Sequence, residues 1–319
     1  MYSLILVDYN TIESTIEYLT RCWEALGEKG AGHVVIVENG SNEGIPEKLS
    51  SLYGEGKVCA LKGIKRAVYC YEKDNQQILY CHSGENLGYA RGNNLGIEIV
   101  KAYFADDFYI VSNNDLVFTE KMDLHLADQL FMEHAGIGII GPQIRTLLGE
   151  YQSPNKWESA FRRLFLFYWK PLIRLYNKLF GSKKKDTQPA QTGCCDWVSG
   201  CFMLLRAKAM EKAGLFDENT FLYAEEMILS RRMQKADYCT WYCDEMRVVH
   251  NHAQTTRKVL SALRAKDINF QSVYYYYKNY TDTSDVVLLL AKANYLLHRT
   301  IYWCANKACE LLGIQLQGK

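Results

Sequence analysis

The first chemical feature of this 319-residue chain is a carboxylate at the end of an apolar run. Tyr109-Ile110-Val111-Ser112 breaks into Asn113-Asn114-Asp115, and Leu116-Val117-Phe118 resumes the apolar pattern. A β-branched run of this kind reads as a buried strand, and ligands of open α/β sheets collect at the carboxyl ends of strands. Asp115 therefore stands where a metal ion or a phosphate-bearing ligand is handled. The competing reading is an Asx turn, because Asn and Asp also close strands for purely local reasons. Glu225-Glu226 form a second candidate group, placed where Phe221-Leu222-Tyr223-Ala224 turns into a helical pattern. Carboxylates at a helix start gain from the macrodipole, and they are equally suited to deprotonating a hydroxyl. His250 and His252 alternate after Val248-Val249 and either ligate a metal or serve the structure.

A third group has phosphate chemistry. Glu85-Asn86-Leu87-Gly88-Tyr89-Ala90-Arg91-Gly92-Asn93-Asn94 precedes a helical run. A turn holding Gly88 and Gly92 exposes backbone N–H groups beside Arg91, which suits a nucleotide or phosphate. The glycine spacing matches neither the dinucleotide nor the P-loop pattern, so a helix-capping loop is the plain alternative.

These groups need a scaffold, and the chain supplies one. Ser3–Val7 reads as a strand ending in Asp8-Tyr9-Asn10, followed by a helix over about 11–26 and a strand at Val34–Val37 that breaks at Glu38-Asn39-Gly40-Ser41. This β-α-β opening predicts parallel strands with a right-handed crossover. Ile78–Cys81 predicts another strand, about 121–134 a helix, and Ile137–Ile140 a strand closed by Gly141-Pro142. Asp196–Arg206 resumes the core, Ala207–Ala213 is helical, and the tail from Asp285 to Leu312 is amphipathic and helical.

Composition removes some function classes. Hydrophobic residues make up 48%, normal for a globular protein, and the formal net charge of +1 says nothing until it is located along the chain. Eleven Cys form no paired C-x-x-C sets, which argues against structural zinc and for small buried side chains. No basic and apolar leader opens at Met1, so the thiols are expected to stay reduced. From Ser159 to Lys185 there are eight Lys and Arg and no acidic residue, with Phe161, Leu164, Phe165, Tyr168, Leu172, Leu175 and Leu179 at helical spacing. That pattern fits an interfacial membrane helix, or a helix packed on the core with a solvated basic face and interrupted at Pro171. No apolar run reaches the ~20 residues of a spanning helix.

The order of these pieces resembles the family 2 glycosyltransferases of the GT-A fold, closest to their rhamnosyltransferase-like branch, over roughly residues 3–255. The resemblance implies an α/β nucleotide-diphospho-sugar transferase fold: a mostly parallel central sheet flanked by helices, with a helical C-terminal extension. It implies a transferase domain over 1–260, divided into a nucleotide-binding half (1–115) and an acceptor half (116–260) carrying the basic insert 157–189, and an extension over 261–319. Tyr9, Asn10, Glu38, Asn39, Arg91, Asn94 and Asn114 are implied to serve the nucleotide. Asp115 and His250 would serve a Mg²⁺ or Mn²⁺ ion, and Trp197, Ser199, Gly200 and Glu225 the sugar and acceptor. Glu226 falls at the position of the catalytic base. The chain departs from the family pattern at Asn113 for the first Asp of the metal motif, at Glu38 for Asp, and at Glu226 for the usual base Asp.

The implied activity is inverting, metal-dependent transfer from a UDP- or dTDP-sugar to a glycan or lipid-linked oligosaccharide in cell-surface polysaccharide synthesis. The expected setting is cytoplasmic, peripheral at the inner membrane face, with an anionic membrane surface as a further partner and no nucleic acid. The departures leave a second reading, a non-catalytic sugar-nucleotide or glycan-binding relative. A nucleotidyltransferase is disfavoured because the opening lacks a Gly-rich loop with Arg and Lys.

Overall fold

The computed structural model describes residues 1–41, 44–169, 190–251 and 262–311. It divides into two compact units, one of residues 1–156 and 190–258, the other of 157–189 and 259–319.

The first unit is built on one sheet in the order β3-β4-β5-β2-β1-β6-β10-β8-β11-β7, with β9 also paired to β11. Its centre is β1 (Tyr2–Asp8), β2 (His33–Glu38), β5 (Gln76–His82) and β6 (Phe108–Ser112), all mutually parallel. Alternation along these strands divides the core between the two faces. Leu4, Leu6, Val34, Ile36 and Ile110 join one buried cluster, and Ile5, Val35, Val37, Tyr109 and Val111 join the other. Strands buried on both faces are apolar at every position, which is why these runs looked continuous in sequence. Helices α1 (Ile12–Ala31), α2 (Ile45–Tyr53) and α4 (Leu124–Glu133) pack on the first face. Helices α3 (Gly88–Tyr103), α5 (Ala207–Ala213) and α6 (Glu225–Lys235) pack on the second.

The sheet is mixed rather than mostly parallel. Strand β8 (Ile137–Thr146) runs parallel to β11 (Cys239–His250), but β10 (Phe202–Arg206) is antiparallel to both β6 and β8. Short β7 (Leu116–Val117) and β9 (Gly193–Cys195) are antiparallel to β11. At the far edge β3 (Lys57–Cys59) and β4 (Val68–Lys73) add an antiparallel hairpin that the hydrophobic pattern did not signal. Its residues Lys57, Val58, Glu72 and Lys73 are exposed, so they carry little periodic apolar signal.

Residues 157–169 fall in the same compact unit as the C-terminal helices. In this second unit a π-helical turn (Phe161–Leu166) precedes Tyr168, which packs against Phe270 and Tyr295. Phe270 lies on α7 (Ala262–Tyr280), and Tyr295, whose ring stacks on it at 4.0 Å, on α8 (Asp285–Leu311). Leu164 and Tyr168 are buried as the spacing predicts, but Phe161 is exposed. The wider i→i+5 turn, seen in the Phe167 N–H bond to Arg162, breaks the 3-4 register that placed Phe161 on the same face. Lys170, Pro171, Leu172, Arg174, Leu175, Lys178, Leu179 and Lys183–Lys185 lie outside the described residues, as does His252. Among the described residues no helix is long and apolar enough to cross a membrane.

Candidate active site

Strand register brings the polar ends together. Asp8 pairs with Glu38 and Glu38 with His82, while Leu6 pairs with Ser112 two residues before Asn114. One rim of the sheet therefore carries Asp8, Glu38 and the Asn113–Asp115 turn. Asp8 is fully buried, and its Oδ2 accepts from Thr11 Oγ1 at 2.8 Å, from Thr15 Oγ1 and from Asn114 Nδ2 at 3.3 Å. The same Asn114 amide donates to Thr11 and Thr15 at 2.8 and 2.6 Å. A buried carboxylate needs such donors to offset its lost hydration. Asn113 is fixed by its N–H, which donates to the Cys201 carbonyl.

Asp115 follows this anchored turn and leads into β7, whose Leu116 pairs with His250 at the end of β11. The pairing places His250 Nε2 3.1 Å from Asp115 Oδ1, and His250 Nδ1 2.8 Å from Gln152 Oε1. The next residue, Asn251, donates its N–H to the Asp115 carbonyl at 2.9 Å. Burial lowers the His250 pKa, but Asp115 and Cys201 beside the ring outweigh it and raise the value to about 10. In this state the ring holds a proton, and metal ligation by His250 requires its release. Among the described residues no three His, Cys, Asp or Glu side chains gather around a metal position. Two buried oxygens nevertheless suit a cation: Asn251 Oδ1 accepts no hydrogen bond, and Asp115 Oδ1 has the His250 ring at 3.1 Å as its partner, which an ion would displace. Mg²⁺ and Mn²⁺ take oxygen ligands and are satisfied by one or two protein groups plus substrate phosphates. The sequence passed over Asn251 because a lone Asn beside His carries no motif.

The glycine-rich turn is organised by Asn39. Its Oδ1 accepts from Leu87 N at 2.9 Å, and its Nδ2 donates to Asn86 Oδ1 and the Gly88 carbonyl. Gly88 has φ +77°, and a Cβ there would meet the Phe221 carbonyl oxygen at 2.2 Å, so position 88 requires glycine. Asn94 performs the same service for the next loop, donating to the Phe216 carbonyl and Glu218 and accepting from Phe216 N. Asn39, Asn94 and Asn114, expected to touch the nucleotide, are buried with their amides committed to protein partners. They hold the loops that form the site. Glu38 is also buried and accepts from Tyr80 and Ser41, whereas Tyr9 is half-buried and Asn10 is exposed in the left-handed region at φ 57°.

Arg91 borders a cleft of about 380 Å³ lined by residues 85–87, 91 and 218–221. Its Nε lies 3.9 Å from Glu218 Oε2 with both side chains about half exposed, a weak pairing that a bound anion can replace.

Glu225 and Glu226 open α6 after Tyr223 and Ala224, which take φ values of 76° and 68°. Successive non-glycine residues in the left-handed region store backbone strain, as is common where a site must aim a side chain. Glu225 is buried, and its Oε1 has no hydrogen-bond partner. Burial and then the charge of Glu226 push its pKa up to about 8. Glu226 faces the Trp197–Gly200 turn, where a Cβ at position 200 would come 3.7 Å from Glu226 Oε2 and 3.2 Å from the Tyr89 hydroxyl. Tyr89, absent from the sequence-derived candidates, donates to the Gly200 carbonyl at 2.5 Å. Burial, followed by the charges of Glu226 and Glu225, raises its phenol well above the ordinary value. Ser199 donates its N–H to Ser153 Oγ at 2.8 Å, and Trp197 is buried with its indole N–H on the Lys156 carbonyl. The turn is thus held from both sides while the carboxylate of Glu226 looks onto a residue without a side chain.

Comparison with known proteins agrees with this architecture. No protein-family model matches the chain. It is 25% identical over 231 residues to the N-acetylglucosaminyl-diphospho-decaprenol L-rhamnosyltransferase of Mycobacterium tuberculosis, covering 70% of this chain and 67% of that protein. It is 24% identical over 222 residues to a low-salt glycan biosynthesis hexosyltransferase of Haloferax volcanii, covering 68% and 66%. Among solved structures, GalNAc-T7 with UDP, GalNAc and Mn²⁺ superposes with a TM-score of 0.55 at 11% identity, over 86% of this chain and 47% of that one. Staphylococcus aureus TarS gives a TM-score of 0.50 at 11% identity, over 92% and 42%. The chain has a GT-A-type glycosyltransferase fold. The chain spans under half the length of the two solved chains, and its sheet and helical C-terminal region are similar to their fold.

Proposed function

We propose that the chain is an inverting, metal-dependent transferase that moves a sugar from a UDP- or dTDP-sugar to a lipid-linked or glycan acceptor. It would work from the inner face of the cell membrane, in cell-surface polysaccharide synthesis. The observation that carries this reading is the pair of buried oxygens, Asp115 Oδ1 beside His250 and the unpartnered Asn251 Oδ1, at the carboxyl ends of β-strands in a glycosyltransferase fold. The lipid-linked substrate named for the mycobacterial relative and the UDP and Mn²⁺ of the GalNAc-T7 structure support the same acceptor and donor classes.

Asp115 and Asn251 would hold the ion, with His250 joining on loss of its proton. When bound, the ion offsets charge on the leaving diphosphate. Arg91, at the mouth of its cleft, exchanges Glu218 for donor phosphate or ribose. Tyr9, Asn10 and Glu38 line the nucleotide side of the rim, where Asn39, Asn94 and Asn114 set the loops. Trp197, Ser199 and Gly200 shape the acceptor side. Glu226 takes the proton of the acceptor hydroxyl as its oxygen attacks the anomeric carbon opposite the diphosphate. One bond forms as one breaks, and the anomeric centre inverts. Burial and the neighbouring Glu226 favour the protonated form of Glu225, which leaves the base role to Glu226.

The test is Glu226→Gln. Transfer falls by ~10²–10⁴-fold while nucleotide affinity stays within about twofold, the signature of a group acting in the transition state. Undiminished transfer rejects the base assignment. Nucleotide-sugar binding without transfer or hydrolysis in the unaltered chain establishes the non-catalytic reading instead.

A further inference from the structure

Helix α8 is amphipathic in an inverted sense. Leu288, Ala291, Tyr295 and His298 face inward, where Tyr295 stacks on Phe270 and donates its hydroxyl to Asp267. Its outward face is apolar: Val286, Leu289, Leu290, Leu296, Leu297 and Ile301 are 48–68% exposed. Their spacing of three and four residues makes one stripe along the helix, about 23 Å long at the α-helical rise. Trp303 continues it, and Phe161 and Leu166 of the π-helical turn are exposed in the same unit. A contiguous apolar surface of this extent marks an interaction site, whereas scattered exposed leucines do not.

Charge decides what covers it. The described residues of the unit containing α8 hold eight Lys and Arg against five Asp and Glu, a net +3, in a chain whose total is +1. Two copies meeting through this face would bring two positive units together, whereas an anionic lipid surface is attracted to either. Lys292 flanks the stripe, within reach of headgroups when the apolar residues enter the acyl boundary, while Arg299 beside it donates to Asp267 at 2.8 Å. The helix is not apolar enough over its length to cross a bilayer.

We infer that the outward face of α8, from Val286 to Trp303, is a membrane-docking surface that inserts shallowly into an anionic bilayer. This deepens the proposed action on lipid-linked acceptors by assigning the residues that bring the enzyme to them, and its test does not depend on transfer.

The full chain is sedimented with vesicles of phosphatidylcholine and of phosphatidylcholine mixed with phosphatidylglycerol. It binds the mixed vesicles, binds neutral ones more weakly, and is released in part by high salt. Leu289→Glu with Leu297→Glu lowers binding to mixed vesicles by roughly tenfold or more, with an unchanged melting temperature because both side chains are exposed. Lys292→Ala weakens binding less and only to the anionic vesicles. No binding to mixed vesicles, or equal binding by the double variant, overturns the inference. So does a concentration-dependent dimer in light scattering that the double variant dissolves while vesicle binding is absent. Transfer to a short-chain, water-soluble acceptor, unaffected by the double variant, reads the catalytic proposal separately.

Discussion

Tyr89 and Gly200 join the start of α3 to the acceptor turn through one hydrogen bond, phenol to backbone carbonyl, at 2.5 Å. The bond lies beside the carboxylate of Glu226, since a Cβ at position 200 would approach both groups. Tyr89→Phe removes the donor and leaves a carbonyl unpaired, costing about 1–3 kcal/mol of stability. Gly200→Ala crowds the Tyr89 hydroxyl at 3.2 Å and narrows the approach to Glu226. The expected outcome is a folded Gly200→Ala protein with reduced turnover and unchanged nucleotide affinity, read by steady-state kinetics alongside calorimetric binding.

Removing either of two oxygens should weaken metal-dependent nucleotide binding. Asp115→Ala takes away the buried carboxylate, and Asn251→Ala takes away the neutral acceptor tied to it through the backbone. In calorimetry with Mn²⁺, Asp115→Ala loses the metal-dependent gain in UDP or dTDP affinity, and Asn251→Ala loses a smaller part of it. Identical titrations for all three proteins, with and without Mn²⁺, show that these oxygens hold no ion.

Glu225 gives a pH signature of stability. Its folded-state pKa is raised to about 8 by burial and by Glu226, against an ordinary value of 4.5. Between these values the folded chain holds more protons than the unfolded one, so stability falls as pH rises. The contribution is complete below pH 4.5 and lost as pH passes through about 8. Glu225→Gln removes this titration without removing the side chain's volume. Urea midpoints at about pH 6 and about pH 9 should differ less for the variant than for the parent, with the variant the more stable at the higher pH.

Gly88→Ala tests the loop that Asn39 organises. The substitution combines φ +77° with a Cβ 2.2 Å from the Phe221 carbonyl oxygen, and backbone cannot yield as a side chain can. A loss of about 1–3 kcal/mol is expected, with weaker nucleotide binding because Arg91 rides on the displaced helix start. Gly84→Ala is the control: φ is positive there too, but no atom lies within 4 Å of its Cβ position. A thermal melt showing equal losses for both assigns the effect to φ alone.

The central strands, the helices between them and the polar strand ends were legible in the sequence because each is a local signal. Val34–Val37 and Tyr109–Val111 are apolar at every position, as strands covered on both faces are. Asp115, Glu226 and His250 stood out for the same reason, as polar residues at the ends of apolar runs. Sequence could not say that β10 runs antiparallel between β6 and β8, since strand direction depends on which partner is met in space. Nor could it separate Asn39, Asn94 and Asn114, which hold loops, from residues facing a ligand, because an amide looks the same in either role until its partners are known. Asn251 and Tyr89 were hidden for the converse reason. Their importance comes from the Asp115 carbonyl and the Gly200 carbonyl, contacts that exist only after β7 meets β11 and α3 meets the acceptor turn. The apolar content of α8 was plain in its residues, but which stripe turns outward was decided by Tyr168, Phe270 and Tyr295 taking the inner one. Local composition determined the elements and the chemistry available at their ends. Tertiary pairing decided which of those groups are consumed in holding the fold and which are left to act, because a buried polar atom is defined by its partners.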